Sequence, residues 1–233
     1  MRWNVTPARR RGVELLDDPA IPVEVRQLAM ADLVRSNRLF GGTRAALRAV
    51  RSVIRRLPAS ATLLDVGTGL ADIPAEVQRE ARRAGVTLQV LGLDVSESLL
   101  RAIGPRLTGA IAGDARRLPL ADSSVDVVIC SQLLHHFEED DAREVIAELH
   151  RVSKGWVIVS DLRRSWLAAG GFWLASHALR FHAVIRNDGV ASVLRGFTQS
   201  ELASLVSAAV GTAPAVRRGA FWRLSATWSK SGR

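Results

Sequence analysis

The sequence predicts an α/β fold built on a doubly wound, mostly parallel sheet. Three observations carry this reading. Short runs of Val, Ile and Leu recur between residues 61 and 162, amphipathic helical stretches separate several of them, and acidic residues close the first three runs. Strands that are apolar on both faces and alternate with helices pack as a parallel sheet with right-handed crossovers.

The runs are "ATLLDVG", "LQVLGLD", "GAIAGD", "VDVVIC" and "GWVIVSDL". Between the first two lies "PAEVQREARRAG", a helix ending at Gly85, and between the next two "SESLLRAIG", ending at Gly104. "EEDDAREVIAELHRV" precedes the fifth run, and its acidic start and basic end suit a helix dipole. Ahead of the sheet, "PVEVRQLAMADLVRSNRLF" has apolar residues at helical spacing. "GGTRAALRAVRSVIRRL" reads as a second helix with Thr43 placed to cap it. Residues 1–57 are therefore expected to form an N-terminal helical cap on a domain spanning 58–233.

After residue 161 the alternation stops. Residues 165–185 form a hydrophobic, aromatic-bearing helix or helix pair, so a lid insertion is expected around 163–196. "RNDGVASVLRG" reads as a loop with Asp188-Gly189 as its turn. "TQSELASLVSAAVG" is a helix, and Thr198 and Glu201 have capping-box spacing. "APAVRRG" and "FWRLSATWS" form an antiparallel pair at one edge, which completes a seven-stranded sheet with an antiparallel C-terminal strand.

Composition narrows the class. With 48% hydrophobic residues in 233, the chain has material for one sizeable core. Its formal charge of +9 is almost all Arg, since Lys occurs only at positions 154 and 230. The arginines are spread along the chain, so a solvated basic surface accounts for them and no nucleic-acid partner is expected. Cys130 is the single cysteine, which excludes a disulfide framework and a cysteine metal cluster. No carboxylate–His set has ligand-like sequence spacing, so no metal site is expected. "MRWNVTPARRRG" lacks a signal peptide's apolar stretch, and "SWLAAGGFWLASHAL" falls short of a membrane span. A cytoplasmic location is the expectation, and no pattern sets an oligomeric state.

The chemistry centres on "DVGTGLAD". Gly67 and Gly69 fit the first two positions of a G-x-G-x-x-G turn, but Asp72 stands at the third. An acid at a helix start repels a pyrophosphate, and no Lys-Ser or Lys-Thr follows, so the turn is not built for phosphates. Asp65, Asp94 and Asp114 end the first three runs and should share the carboxyl edge of the sheet, where open α/β folds bind ligands. Asp94 suits a ribose diol and Asp114 the exocyclic amine of an adenine; singly, each could cap a helix or close a turn. Asp72 is either a helix cap before Pro74 or a partner for a ligand ammonium.

In these residues the sequence resembles the class I S-adenosylmethionine-dependent methyltransferases, closely over residues 60–161 and more loosely beyond. The resemblance implies a Rossmann-like fold, S-adenosylmethionine as cofactor and methyl transfer as activity. Asp65, Gly67, Thr68 and Gly69 match the first motif, while Ala71 stands where many members have another glycine. By the resemblance, Asp94 with Val95 binds the ribose, Asp114 with Ala115 the adenine edge, and Ser131 and Gln132 the methionine side. "LPLADSSVDVVICSQLLHHF" is like the small-molecule branch that includes the ubiquinone and menaquinone methyltransferases. "NRLFGGTR" looks like that branch's cofactor-covering segment, bringing in Asn37 and Arg44, although Asn37 also reads as a helix C-cap.

His135 follows the fourth strand, beside the expected methyl donor, and is the candidate base; otherwise it and His136 pack around the acidic "FEEDD" helix start. Trp166, Phe172, Trp173 and Phe181 form either a wall over the acceptor or the core of an added helical layer, with His182 beside them. An aromatic pocket points to a hydrophobic acceptor such as a phenol, quinone precursor or polyketide, with O-methylation as the expected reaction. The alternatives are an RNA methyltransferase, against which "SQLLH" lacks the Pro-Pro-aromatic signature, a non-catalytic binding module, and a nicotinamide oxidoreductase, which Asp72 disfavours.

Overall fold

The computed structural model describes residues 6–12, 14–18 and 20–230, so the first five residues of the expected cap lie outside the described part. Its frame is one seven-stranded sheet in the order β3-β2-β1-β4-β5-β7-β6. The strands are β1 (Ser60–Val66), β2 (Thr87–Asp94), β3 (Gly109–Ala112), β4 (Val125–Ser131), β5 (Ser153–Leu162), β6 (Ala215–Gly219) and β7 (Arg223–Ser229). The first five pair in parallel, and β7 runs antiparallel to both β5 and β6. The expected fold class is therefore realised, including its antiparallel C-terminal strand.

Two-residue periodicity splits the strand residues between two cores. Leu64, Val128, Cys130, Val157 and Val159 face one side, where they pack with Ile146 and Leu149 of α5 (Glu139–Val152) and Leu202 and Val206 of α8 (Gln199–Val210). Leu63, Val127, Ile129 and Ile158 face the other, against Ala46, Ala49 and Val50 of α2 (Gly42–Arg51) and Val77 and Ala81 of α3 (Asp72–Arg83). α4 (Glu97–Ile103) sits between β2 and β3 in the chain. Cys130 is fully buried, as a small apolar side chain would be.

The remaining helices gather at one end of the sheet. α1 (Val23–Leu39), α6 (Trp166–Ala178) and α7 (Ala183–Arg195) meet in an apolar cluster of Ala29, Phe181, Val184 and Ile185, packed by Phe40 and Phe172. Three expectations are corrected. "RNDGVASVLRG" is helical through Arg195 rather than a loop. Asp188 does not turn the chain; its carboxylate accepts from the backbone N–H groups of Leu15 and Leu16, both at 2.9 Å. Gly189 gives room to Phe172, whose ring a Cβ there would meet at 2.1 Å. Thr43 does not cap α2, because Gly41 at φ 77° fills that position. The Thr198–Glu201 capping box is present, and Glu201 also pairs with Arg164.

Gly196, the C-cap of α7, packs directly against the end of β5. A Cβ there would lie 2.6 Å from the Leu162 carbonyl oxygen, which already accepts from the Phe197 N–H at 2.9 Å. Backbone cannot retreat as a flexible side chain can. Gly196→Ala is expected to destabilise the chain by about 1–3 kcal/mol, measured by urea unfolding. An unchanged midpoint would contradict this packing.

Candidate active site

A cavity of about 510 Å³ opens at the carboxyl ends of β1, β2 and β4. Its floor comes from the turns that leave these strands, and α1 and α7 stand over it. Asn37, Asp65, Gly67, Thr68, Gly69, Asp94, Val95, Ser131, Gln132, His135 and Phe172 all line it.

At the β1–β2 end the glycine turn is stitched to the neighbouring strand. Gly67 and Thr68 donate backbone N–H bonds to the Leu93 carbonyl at 2.8 and 3.0 Å. The Gly69 N–H donates to Asp94 Oδ2 at 2.9 Å, and the Ser96 N–H to Oδ1 at 2.9 Å. A carboxylate accepts about four bonds, so Asp94 keeps capacity for a ligand. Gly67 takes φ 75°, and a Cβ there would meet Leu133 at 2.8 Å. Asp65 is buried behind the turn. Burial, with the neighbouring charges of Asp72 and Asp94 and against the Thr68 hydroxyl, pushes its carboxyl up to about 7.

Gln132, held at φ 54°, links three elements across the cavity mouth. Its amide donates to Asn37 Oδ1 on α1 at 2.7 Å and accepts from Arg223 Nη1 on β7 at 2.6 Å. The Asn37 amide reaches Asp72 Oδ2 at 3.5 Å, so Asn37 faces the site instead of capping α1. Asp72 opens α3 rather than capping it, since Ala71 at φ 57° is the N-cap. Burial raises the Asp72 carboxyl, which favours a cationic neighbour.

The β5 end holds a buried charge network. His135 Nδ1 lies 2.6 Å from Asp161 Oδ1, and the His135 N–H donates to Asp161 Oδ2 at 3.1 Å. Glu14, carried in from the N-terminal segment, sits 3.7 Å from His135 Nε2, from His136 Nε2 and from Arg195 Nη1. Burial disfavours the His135 imidazolium, but Asp161 and then Glu14 outweigh it and push it up to about 9. Burial likewise opposes the Glu14 charge, yet His135 and His136, with the Ser192 hydroxyl, bring it down to about 2. Sequence spacing offered no carboxylate–His set, whereas the fold sets ligand atoms of Glu14, His135 and His136 within 4.8 Å of one another. The Arg195 guanidinium supplies positive charge beside that carboxylate.

Six expected site residues do not reach the cavity. Arg44 is exposed on α2. The Asp114 carboxylate is engaged by Arg116 Nη2 at 2.7 Å, and Ala115 is buried in the core. Trp166 is 48% exposed on the outer side of α6, where Arg10 stacks on it at 5.2 Å, so it cannot wall the cavity. Phe181 is core, edge-on to Phe40 at 6.4 Å. His182 caps α7, its Nδ1 accepting from the Val184 N–H at 3.3 Å. Sequence reasoning missed Glu14, Asp161, Arg195 and Arg223. Of these only Asp161 carried a signal, as an acid near the end of the fifth strand.

Residues 64–159 match the model of the methyltransferase domain family. Over those residues the chain is similar to that family, and it resembles the class I S-adenosylmethionine-dependent methyltransferases. A ubiquinone/menaquinone biosynthesis C-methyltransferase of Desulfotalea psychrophila is 37% identical over 101 residues, 42% of this chain and 39% of that protein. A malonyl-[acyl-carrier protein] O-methyltransferase of Methylococcus capsulatus is 31% identical over 135 residues, 51% of this chain and 47% of that protein. The chain thus spans less than half the length of these relatives. The crystal structure of a SAM-dependent methyltransferase from Aquifex aeolicus shares the fold, with TM-score 0.59, 17% identity, and coverage of 86% of this chain and 96% of that one. S-adenosylmethionine is the cofactor these likenesses support.

The Asp65 environment sets a sign for cofactor binding. A cationic ligand favours the ionised carboxylate, which the free chain holds up at about 7. Below that value Asp65 must lose a proton on binding. S-adenosylhomocysteine, with its ammonium group, is expected to bind more weakly at about pH 6 than at about pH 8, with proton release in calorimetry. Asp65→Asn should flatten this dependence, and a pH-independent wild-type affinity would contradict it.

Proposed function

We propose that this protein transfers a methyl group from S-adenosylmethionine to a hydrophobic small molecule, with O-methylation of a phenol, quinone precursor or polyketide as the reaction. The observation that carries the proposal is a single cavity with an acid-and-glycine seat at one end and the His135–Asp161 pair at the other. The described residues up to 57 serve as its cap and 163–196 as its lid in this reading.

The seat suits the cofactor. Asp94 retains acceptor capacity for the ribose hydroxyls, the glycine turn leaves the backbone bare where a Cβ would collide, and the buried Ser131 hydroxyl has no hydrogen-bond partner. Asp65 and Asp72 place negative charge where an ammonium would be held. Bound S-adenosylmethionine supplies a methyl group already activated on a sulfonium, so the protein's task is mainly to position the acceptor.

His135 is the catalytic residue of this proposal. Asp161 fixes its Nδ1, and the buried Nε2, which faces the Glu14 carboxylate at 3.7 Å without a hydrogen bond, is the nitrogen that meets the acceptor. Since His135 stays protonated up to about 9, it acts near neutrality as a hydrogen-bond donor that steadies an ionised acceptor oxygen. Phe172 and Ile185 give the same end apolar walls.

The test is transfer of labelled methyl to a panel of phenols, quinols and polyketide-like acids. Label is expected in an extractable small molecule, while label confined to RNA, or none, would overturn the proposal. With an acceptor in hand, His135→Ala should lower kcat by about a hundredfold or more. Activity should fall as His135 deprotonates above about 9, and Asp161→Asn should move that limb to lower pH, because Asp161 is what raises His135. Activity that rises through this range would mean that His135 works as a base.

A further inference from the structure

The outer side of α6 is left without a partner. Trp166, Leu167, Trp173 and Leu174 are 48%, 62%, 54% and 66% exposed, at positions that fall on one stripe of the helix. No Asp, Glu, Lys or Arg occurs anywhere in α6. Scattered exposed apolar residues are ordinary, but four large ones on one face, two of them Trp, form a patch that water disfavours.

Charge frames this patch. A groove of about 520 Å³ runs beside it between the N-terminal segment and α7, and Trp173 and His177 of α6 form one of its edges. Arg10, Arg11, Arg186 and Arg195 line the groove, and among the described residues no acidic one does. Arg10 also stacks on Trp166 at 5.2 Å, which joins the basic and aromatic surfaces. Arg11 is shared with Glu138 at 3.1 Å, so Arg10 and Arg186 are the clearer cationic positions.

We infer that this face docks on an anionic phospholipid bilayer, with α6 lying in the plane of the interface. Trp and Leu enter the headgroup–acyl boundary, and Arg10 and Arg186 meet lipid phosphates. The charge complementarity is specific to an anionic surface, and the chain's formal charge of +9 favours it at longer range. No helix among the described residues is long and apolar enough to cross a membrane, which agrees with a helix that lies on the surface. Phe172, next to Trp173, points the other way and lines the cavity. The docked helix is therefore also part of the cavity wall, and an acceptor dissolved in the bilayer would meet the site through it. The docking itself does not depend on the proposed methyl transfer.

Vesicle flotation tests the docking without reading any activity. The full chain is expected to float with vesicles of roughly one-third phosphatidylglycerol in phosphatidylcholine, and not with phosphatidylcholine alone. High salt should weaken the binding. The double variants Leu167→Ser/Leu174→Ser and Arg10→Gln/Arg186→Gln should each lower the partition coefficient about tenfold. The serine changes fall at exposed positions, and matching thermal unfolding of variants and wild type shows that a loss is not misfolding. Three results would overturn the inference: no flotation, flotation that neither variant weakens, or a soluble dimer that the serine variant dissociates while wild type ignores vesicles.

Discussion

The site depends on how the turn after β1 is fastened to the end of β2. Three successive backbone N–H groups, from Gly67, Thr68 and Gly69, are spent on the Leu93 carbonyl and the Asp94 carboxylate. The parallel register of β1 with β2 puts these groups within reach. The bonds in turn hold Gly67 and Gly69 at positive φ, which a side chain would resist. With the turn fixed, Asp65 is sealed behind it, Asp94 is oriented in front of it, and bare backbone faces the cavity. One strand pairing thus sets a buried acid, an accessible acid and a close-approach surface together.

The opposite end of the cavity is built differently. The sheet contributes Asp161, but Glu14 comes from the N-terminal segment, His135 from the turn after β4, and Arg195 from α7. Arg195 donates to the His135 carbonyl at 3.1 Å, Asp188 holds the backbone of Leu15 and Leu16, and Arg9 reaches the Phe137 carbonyl at 2.9 Å. Buried charges of opposite sign must stay together, because losing one partner leaves the other uncompensated in a poor solvent for ions. That requirement ties the appended segments to the sheet.

Much of the fold was legible because periodicity and caps are local. The apolar runs mark all five parallel strands, the spacing of Thr198 and Glu201 marks α8, and the acids at the ends of β1 and β2 mark the cavity edge. The sidedness of the aromatic helix was not legible. Phe172 and Trp173 are neighbours in sequence, yet one lines the cavity and the other is exposed, and only the packing of α6 on α7 decides which. Asp188-Gly189 looks like a turn because both residues favour turns. In the fold the Asp is spent on a distant backbone and the Gly on the Phe172 ring. Glu14 has no local signal at all, since its partners lie more than a hundred positions away and meet it only after folding.

Calorimetric titration with S-adenosylhomocysteine, comparing wild type with Asp94→Ala and with NADH as a second ligand, tests the central claim most directly. The account predicts micromolar binding of S-adenosylhomocysteine to wild type, its loss in Asp94→Ala, and no binding of NADH. Preferential binding of NADH, or S-adenosylhomocysteine binding that survives loss of the Asp94 carboxylate, would contradict it.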